Sequence, residues 1–295
     1  MKFEEKDNVI YSFSAQHNPV AELSPGEILV VETADCFNGQ VHESGQSLAA
    51  IDWNRVTPAT GPFYVNGAEP GDALEIEILE IKTAQQGIAV LEPETGILPN
   101  LNAPEVKIFG LAASSLILAE GLSVPVQPMI GVIGVAPSEG EVSNKLPGSH
   151  GGKLFAKEIC PGSKICLPVF HVGALLALGD IHLLMGDGAI SGSGIGTSAE
   201  VKFRVEVIKG MQLAGPLVAT EAGTYFLASA PSLAEAIETA CRAGVEYISE
   251  TAELPFAEAY MAAGAVGQLG FCQAAGSPYI VKFFVPRLLK VLQGE

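Results

Sequence analysis

The chain has 295 residues, of which 48% are hydrophobic and 17% charged, the reverse of the balance that keeps a chain disordered. Sixteen basic against thirty-three acidic side chains leave a net charge of −17. That charge argues against nucleic acid or an anionic membrane as partner, since both need a basic surface, and points to a small neutral or cationic ligand.

In chain order, the charged start Met1-Lys-Phe-Glu-Glu-Lys-Asp7 lacks the apolar core of a signal peptide, so a cytoplasmic location is expected. Strands are expected at 28–33, at 74–81, and at 106–109, 115–119 and 130–135. In the second of these, Leu74, Ile76 and Ile78 alternate with Glu75 and Glu77 before the apolar phase jumps to Leu79 and Ile81, which predicts a bulge near Ile78 or a strand leaving its sheet. A further strand is expected at 164–170. Mean hydropathy is +0.34, but the most apolar stretch, 165–185, contains Pro168, His171, Gly173, Gly179, Asp180 and His182. A bilayer span needs about 20 apolar residues with few or no charges, and this stretch fails that test. At 199–209, Val201, Phe203, Val205 and Val207 alternate with Lys202, Arg204 and Glu206, a strand with one buried and one wet face. Strands at 225–230 and 279–285 flank two late helices. One opens on the capping box Ser232-Leu-Ala-Glu235, and the other starts near Pro255 and runs to about Ala265.

The expected fold class is therefore β-rich α+β: packed antiparallel or mixed sheets, sandwich- or barrel-like, with a few helices near the C-terminus. No linker divides the chain, so 1–295 is expected to be one compact domain. The five cysteines, Cys36, Cys160, Cys166, Cys241 and Cys272, form no Cys-x-x-Cys pair and read as free thiols.

Five histidines invite inspection. In an extended segment, Asp180 and His182 point the same way while Ile181 enters a core. The pair is then either a metal or acid–base site, or a structural hydrogen-bonded pair at a strand end. His150 precedes Gly151, Gly152 and Lys153; the two glycines let the backbone approach a ligand closely, unless His150 is simply a turn residue. Asp35 lies just beyond the 28–33 strand, where catalytic groups and plain turn residues both occur, and Cys36 is a nucleophile only with a depressed pKa. The glycine–serine run 188–198 resembles a dinucleotide loop or a serine-amidase run, but it leads into a strand and lacks a lysine signature. It reads as a flexible loop beside the site.

Several segments together resemble the acetamidase/formamidase family: 24–40 with Asp35-Cys-Phe-Asn-Gly-Gln40, Pro58-Ala-Thr-Gly-Pro62, Gly67-Ala-Glu-Pro-Gly-Asp72, Gly131-Val-Ile-Gly-Val-Ala-Pro137, Pro147-Gly-Ser-His-Gly-Gly152, Leu167-Pro-Val-Phe170, Gly179-Asp-Ile-His182 and Met185-Gly-Asp-Gly188. They stand in family order over 15–286. The resemblance implies hydrolysis of a small neutral linear amide to ammonia and a carboxylate, and a homodimer or higher homo-oligomer. It also implies a divalent metal, zinc or alternatively calcium. On that reading a metal-bound water attacks the carbonyl. The implied metal ligands are His150, Asp180 and His182, and the implied catalytic groups are Asp35 (ligand or general base), Lys153 and Asp180. Gly151, Gly152 and Gly186 are where the backbone would approach substrate. Four positions depart from the family pattern by lacking a carboxylate: Phe155, Ala189, Gly196 and Gln268. Lys153 would then offset lost metal charge or hold a carbonyl. The competing class is a repurposed family member that binds a small molecule without cleaving it.

Overall fold

The computed structural model describes residues 2–4, 6–93, 95–98 and 104–287. The alternating segment at 199–209 forms the strand Ala199–Ile208, in which Val201, Phe203 and Val205 are buried while Lys202, Arg204 and Glu206 are half-buried. It pairs antiparallel with Ile28–Thr33 on one side and Ala73–Thr83 on the other. Phe203 faces Ile78 and Lys202 faces Glu80, so Leu79 is the extra residue of a bulge where the apolar phase jumps. From Ala73–Thr83 the sheet continues through Lys164–Pro168, Leu217–Ala219, Gly223–Ala230 and Tyr279–Pro286 to the edge strand Gln268–Gln273, nine strands in all with Lys2–Glu4 at the other edge.

The second sheet is built around Leu176–Leu184, which pairs antiparallel with Met129–Gly134, Ile195–Thr197 and Ala59–Val65. All of this strand but Leu184 is buried, so both of its faces are covered and no period of two is visible in its sequence. Ile76, Val201 and Phe203 from the first sheet share one core with Ile130, Leu178 and Ile181 from the second. The two sheets therefore pack face to face as a sandwich. With Ser198 between them, Ile195–Thr197 belongs to the second sheet and Ala199–Ile208 to the first.

The helices come late, as the capping signals imply. Helix α1 spans Leu233–Ala252, and its first turn is closed by Ser232, whose hydroxyl accepts from the Glu235 amide at 3.2 Å. Helix α2 spans Phe256–Val266, with Pro255 in the capping position just before it. Ala236, Ala240, Val245 and Ile248 of α1 pack on Val281, Phe283 and Val285, forming a second core on the outer face of the first sheet. Among the described residues no helix is long and apolar enough to cross a membrane.

One ionic cluster is built into the interior. Lys282, only 5% exposed, donates to Glu158 Oε1 at 2.6 Å and to Asp187 Oδ1 at 2.6 Å, and Lys157 donates to Asp187 Oδ2 at 2.8 Å. The loop carrying Asp187 is tied to the edge strand as well, the Gly188 amide donating to the Phe271 carbonyl at 2.7 Å. This docking fixes the loop that leaves the Leu176–Leu184 strand.

Candidate active site

His182 lies on the buried strand Leu176–Leu184, and its side chain has no solvent exposure. Its Nδ1 is 3.0 Å from the Asp180 carbonyl oxygen. A carbonyl only accepts, so this contact places the proton on Nδ1 and leaves the Nε2 lone pair free to accept. Nε2 is 3.3 Å from Ser193 Oγ and 3.8 Å from Asp180 Oδ1. Burial lowers the imidazole pKa below its ordinary 6.5, although the Asp180 charge and carbonyl pull the other way. The ring is held by small neighbours. A Cβ on Gly131 would stand 3.1 Å from His182 Nδ1, and one on Gly194 would stand 2.9 Å from Cδ2. The edge-on Phe155 ring, 5.4 Å away between centroids, closes a further side.

Asp180 adopts φ 52° and is 3% exposed, and its Oδ1 has no hydrogen-bond partner among the described residues. Asp180 and His182 thus share a side of the strand, as their spacing implies. Lys153 stands on Gly151–Lys153, a short strand that pairs with Met129–Gly134 opposite its pairing to Leu176–Leu184. Its Nζ sits 4.3 Å from the centre of the Phe155 ring. Burial lowers the Lys153 pKa, while the charges of Asp180 and Glu92 oppose that fall. Asp35 completes the group electrostatically: burial raises its pKa against hydrogen bonds from Phe37 and Gly39, and the Asp180 charge adds to the rise. Both Asp35 oxygens are nevertheless engaged in its own turn, accepting from the Phe37 amide at 2.8 Å and the Gly39 amide at 3.1 Å. Cys36 is held as a neutral thiol, because burial and then the charges of Asp180 and Asp35 push its pKa well up.

Asp180 and His182 are therefore in contact, the Asp180 charge acts on both Lys153 and Asp35, and His150 packs elsewhere. Its ring packs edge-on to Phe13 at 5.2 Å, and its Nε2 is buried without a hydrogen-bond partner among the described residues. Gly151 and Gly152 serve this tight hairpin: a Cβ at either would come within 2.3 Å of a carbonyl oxygen, that of Ile133 or Leu146. Gly186 borders open space. Among the described residues no three His, Cys, Asp or Glu side chains come close enough to share a metal ion. Catalytic zinc takes three protein donors and leaves a fourth position open. Asp180 Oδ1 and His182 Nε2 supply two donors, so the set does not fit that pattern.

Burial alone pushes the His150 pKa down from 6.5 to about 4. Between those values the unfolded chain binds the proton and the folded chain does not, so stability falls as pH drops through that window. The expected loss at pH 5 is about 2 kcal/mol. Unfolding curves of the wild type and His150→Gln across pH test it; parallel pH dependences would show that His150 does not contribute.

Two of the four carboxylate-lacking positions lie at the site. Phe155 touches His182 and Gly196 pairs with His182 across the strands, while Ala189 is buried in the main core. Gln268 lies exposed at the start of the edge strand. Sequence reasoning missed Ser193, whose signal was the Gly-Ser-Gly step inside the run read as a loop beside the site. A separate groove of about 450 Å³, lined among others by Met211, Phe226, Arg242 and Tyr247, contains none of Asp35, Lys153, Asp180 and His182.

The family model for the acetamidase/formamidase family matches residues 3–146 and 143–223. The crystal structure of an acetamidase from Bacillus halodurans is 38% identical and superposes with a TM-score of 0.94 over 96% of this chain and 97% of that one. A formamidase of Methylophilus methylotrophus is 24% identical over 250 residues, covering 64% of this chain and 61% of its own length. An acetamidase of Mycolicibacterium smegmatis is 26% identical over 260 residues, covering 64% and 63%. The chain thus spans less than two thirds of the length of the curated relatives it matches.

Proposed function

Because the chain belongs to the acetamidase/formamidase family, we propose that it hydrolyses a small neutral linear amide, such as formamide or acetamide, to ammonia and a carboxylate. The observation that carries this reading is the neutral, buried His182 with its Nε2 lone pair 3.8 Å from the unpartnered carboxylate oxygen of Asp180. Amide cleavage needs a group that takes a proton early and returns it to the departing nitrogen, because an amide anion is a poor leaving group. His182 takes that role, and the Asp180 carboxylate stabilises the imidazolium formed in between. The Lys153 ammonium provides positive charge for the carbonyl oxygen as it becomes negative. Phe155 closes one side of the imidazole edge-on, which favours a short acyl group.

The test incubates the purified full chain with formamide and acetamide and assays ammonia, with and without added zinc and after treatment with a chelator. Ammonia release unaffected by the chelator is the expected result, since no step above passes through a metal. Release that depends on zinc would show that a metal takes part. No release under any condition would overturn the amidase reading. It would favour a family member that binds a small molecule without cleaving it, the reading supported by the apolar Phe155 against His182. In that case acetamide would still raise the melting temperature.

A further inference from the structure

We propose that Asn144 is a positioning residue for this site, holding the turn that carries Asp35 and Cys36 from both of its sides. The Asn144 side chain is fully buried, and its Nδ2 donates to the Ile10 carbonyl at 2.7 Å and to the Thr57 carbonyl at 3.0 Å. Two carbonyls facing one end of the amide fix its orientation, because only the amide nitrogen can donate. The Oδ1 atom is left buried with no hydrogen-bond partner among the described residues. A side chain that merely filled this space would carry no such penalty, so the part Asn144 plays lies in its two donors.

Each contact leads to the turn. On one side, Thr57 adopts φ 59° and its amide donates to the Cys36 carbonyl at 2.6 Å. A β-branched residue in the left-handed region persists only where its surroundings hold it, and the Asn144 bond to the Thr57 carbonyl is such a hold. On the other side, the Asn144 amide donates to the Tyr11 carbonyl at 3.0 Å, and the Tyr11 hydroxyl accepts from Asn38 Nδ2 at 2.9 Å. The strand Glu141–Ser143 pairs antiparallel with Ser12–Ser14, which brings Asn144 beside Tyr11. Cys36 and Asn38 are thus both tied back to position 144. Lys145 adds a further tie, its Nζ donating to the Trp53 carbonyl at 2.6 Å.

The placement of this turn matters to the site. The bonds that Asp35 accepts come from its own turn, the Phe37 and Gly39 amides, so they shape the turn without fixing it to the second sheet. At Gly196, which pairs with His182, a Cβ would stand 2.9 Å from Cys36 Sγ, so the turn lies directly against that strand. A shift of about 1 Å there moves the Asp35 carboxylate relative to Asp180 and His182, and misplacement on that scale lowers a rate by about a hundredfold.

The effect on turnover rests on the amide-hydrolase reading, and a second readout stands apart from activity. The full chain and Asn144→Leu are compared in ammonia release from acetamide and in labelling of Cys36 by N-ethylmaleimide, located by peptide mapping. The expected turnover number is about 10- to 100-fold lower, with KM nearly unchanged. Cys36 should be labelled about tenfold faster through local opening of the turn, while the fully buried Cys272 keeps its wild-type rate. Asn144→Ala, which adds no bulk, carries the same test where the leucine variant does not fold. Adding Thr57→Gly to Asn144→Leu should restore much of the turnover number, since glycine adopts the left-handed conformation unaided. Faster labelling of Cys36 and Cys272 together would reveal general loosening and overturn the proposal. A variant with the wild-type turnover number would also overturn it and leave the amidase reading standing. Where the wild type releases no ammonia, the amidase reading falls, and selective labelling of Cys36 in the variant still supports the hold of Asn144 on the turn.

Discussion

His182→Gln will lower the turnover number for ammonia release by about 10²- to 10⁴-fold, the usual worth of a positioned acid–base group, and leave KM nearly unchanged. Glutamine fills most of the ring's volume and still offers an oxygen, but it cannot accept and return a proton at neutral pH. The packing argument favours a folded variant. The ring space is bounded by Gly131, Gly194 and Phe155, and the replacement is no bulkier than the imidazole. The Lys153 ammonium remains, so substrate binding is not the step lost. Steady-state ammonia assays alongside a thermal melt make the measurement. A variant that keeps the wild-type turnover number would move the chemistry away from His182 and make the Asp180–His182 pair structural.

Lys282→Met should destabilise the fold by about 3–5 kcal/mol, the usual cost of removing one partner from a buried ion pair. Lys282 and Glu158 are 6% and 10% exposed in their side chains, and both carboxylates contact Lys282 Nζ at 2.6 Å. Methionine matches the stem and removes the charge, leaving Glu158 buried with an oxygen that already has no partner among the described residues. Asp187 keeps Lys157 and is 45% exposed, so most of the penalty belongs to Glu158. Urea unfolding of Lys282→Met and of the double variant Glu158→Gln/Lys282→Met separates the terms: the double variant should recover much of the loss. Equal instability of the two would assign the effect to packing of the lysine stem.

Much of the frame was legible because it depends on short-range periodicity. The alternation from Val201 to Val207 and the phase jump at Leu79 state a strand and a bulge without reference to any partner, and both formed. Ser232 and Glu235 marked a helix start for the same reason, since a cap satisfies amides within one turn. Strand Leu176–Leu184 was harder. Buried on both faces, it shows no alternation, and only the spacing of Asp180 and His182 revealed that they share a side. His150 shows the opposite failure. A His-Gly-Gly step looks like a ligand-binding turn, but the glycines fold it into a hairpin against Phe13, away from the Asp180–His182 pair. The run around Ser193 reads as a loop leading into a strand, and only the fold brings its hydroxyl to 3.3 Å from the imidazole.

From its own residues the sequence determined a β-rich sandwich with late helices, the family, and the shared orientation of Asp180 and His182, because each is set by local pattern or by ordered motifs. Tertiary structure alone decided which side chains meet. Lys153 and Ser193 reach the Asp180–His182 pair from neighbouring strands and loops, His150 is carried away from it, and Lys282 is buried between carboxylates more than ninety positions distant. Those meetings depend on strand order and on which charges lose their water, and neither is a property of any short stretch of chain.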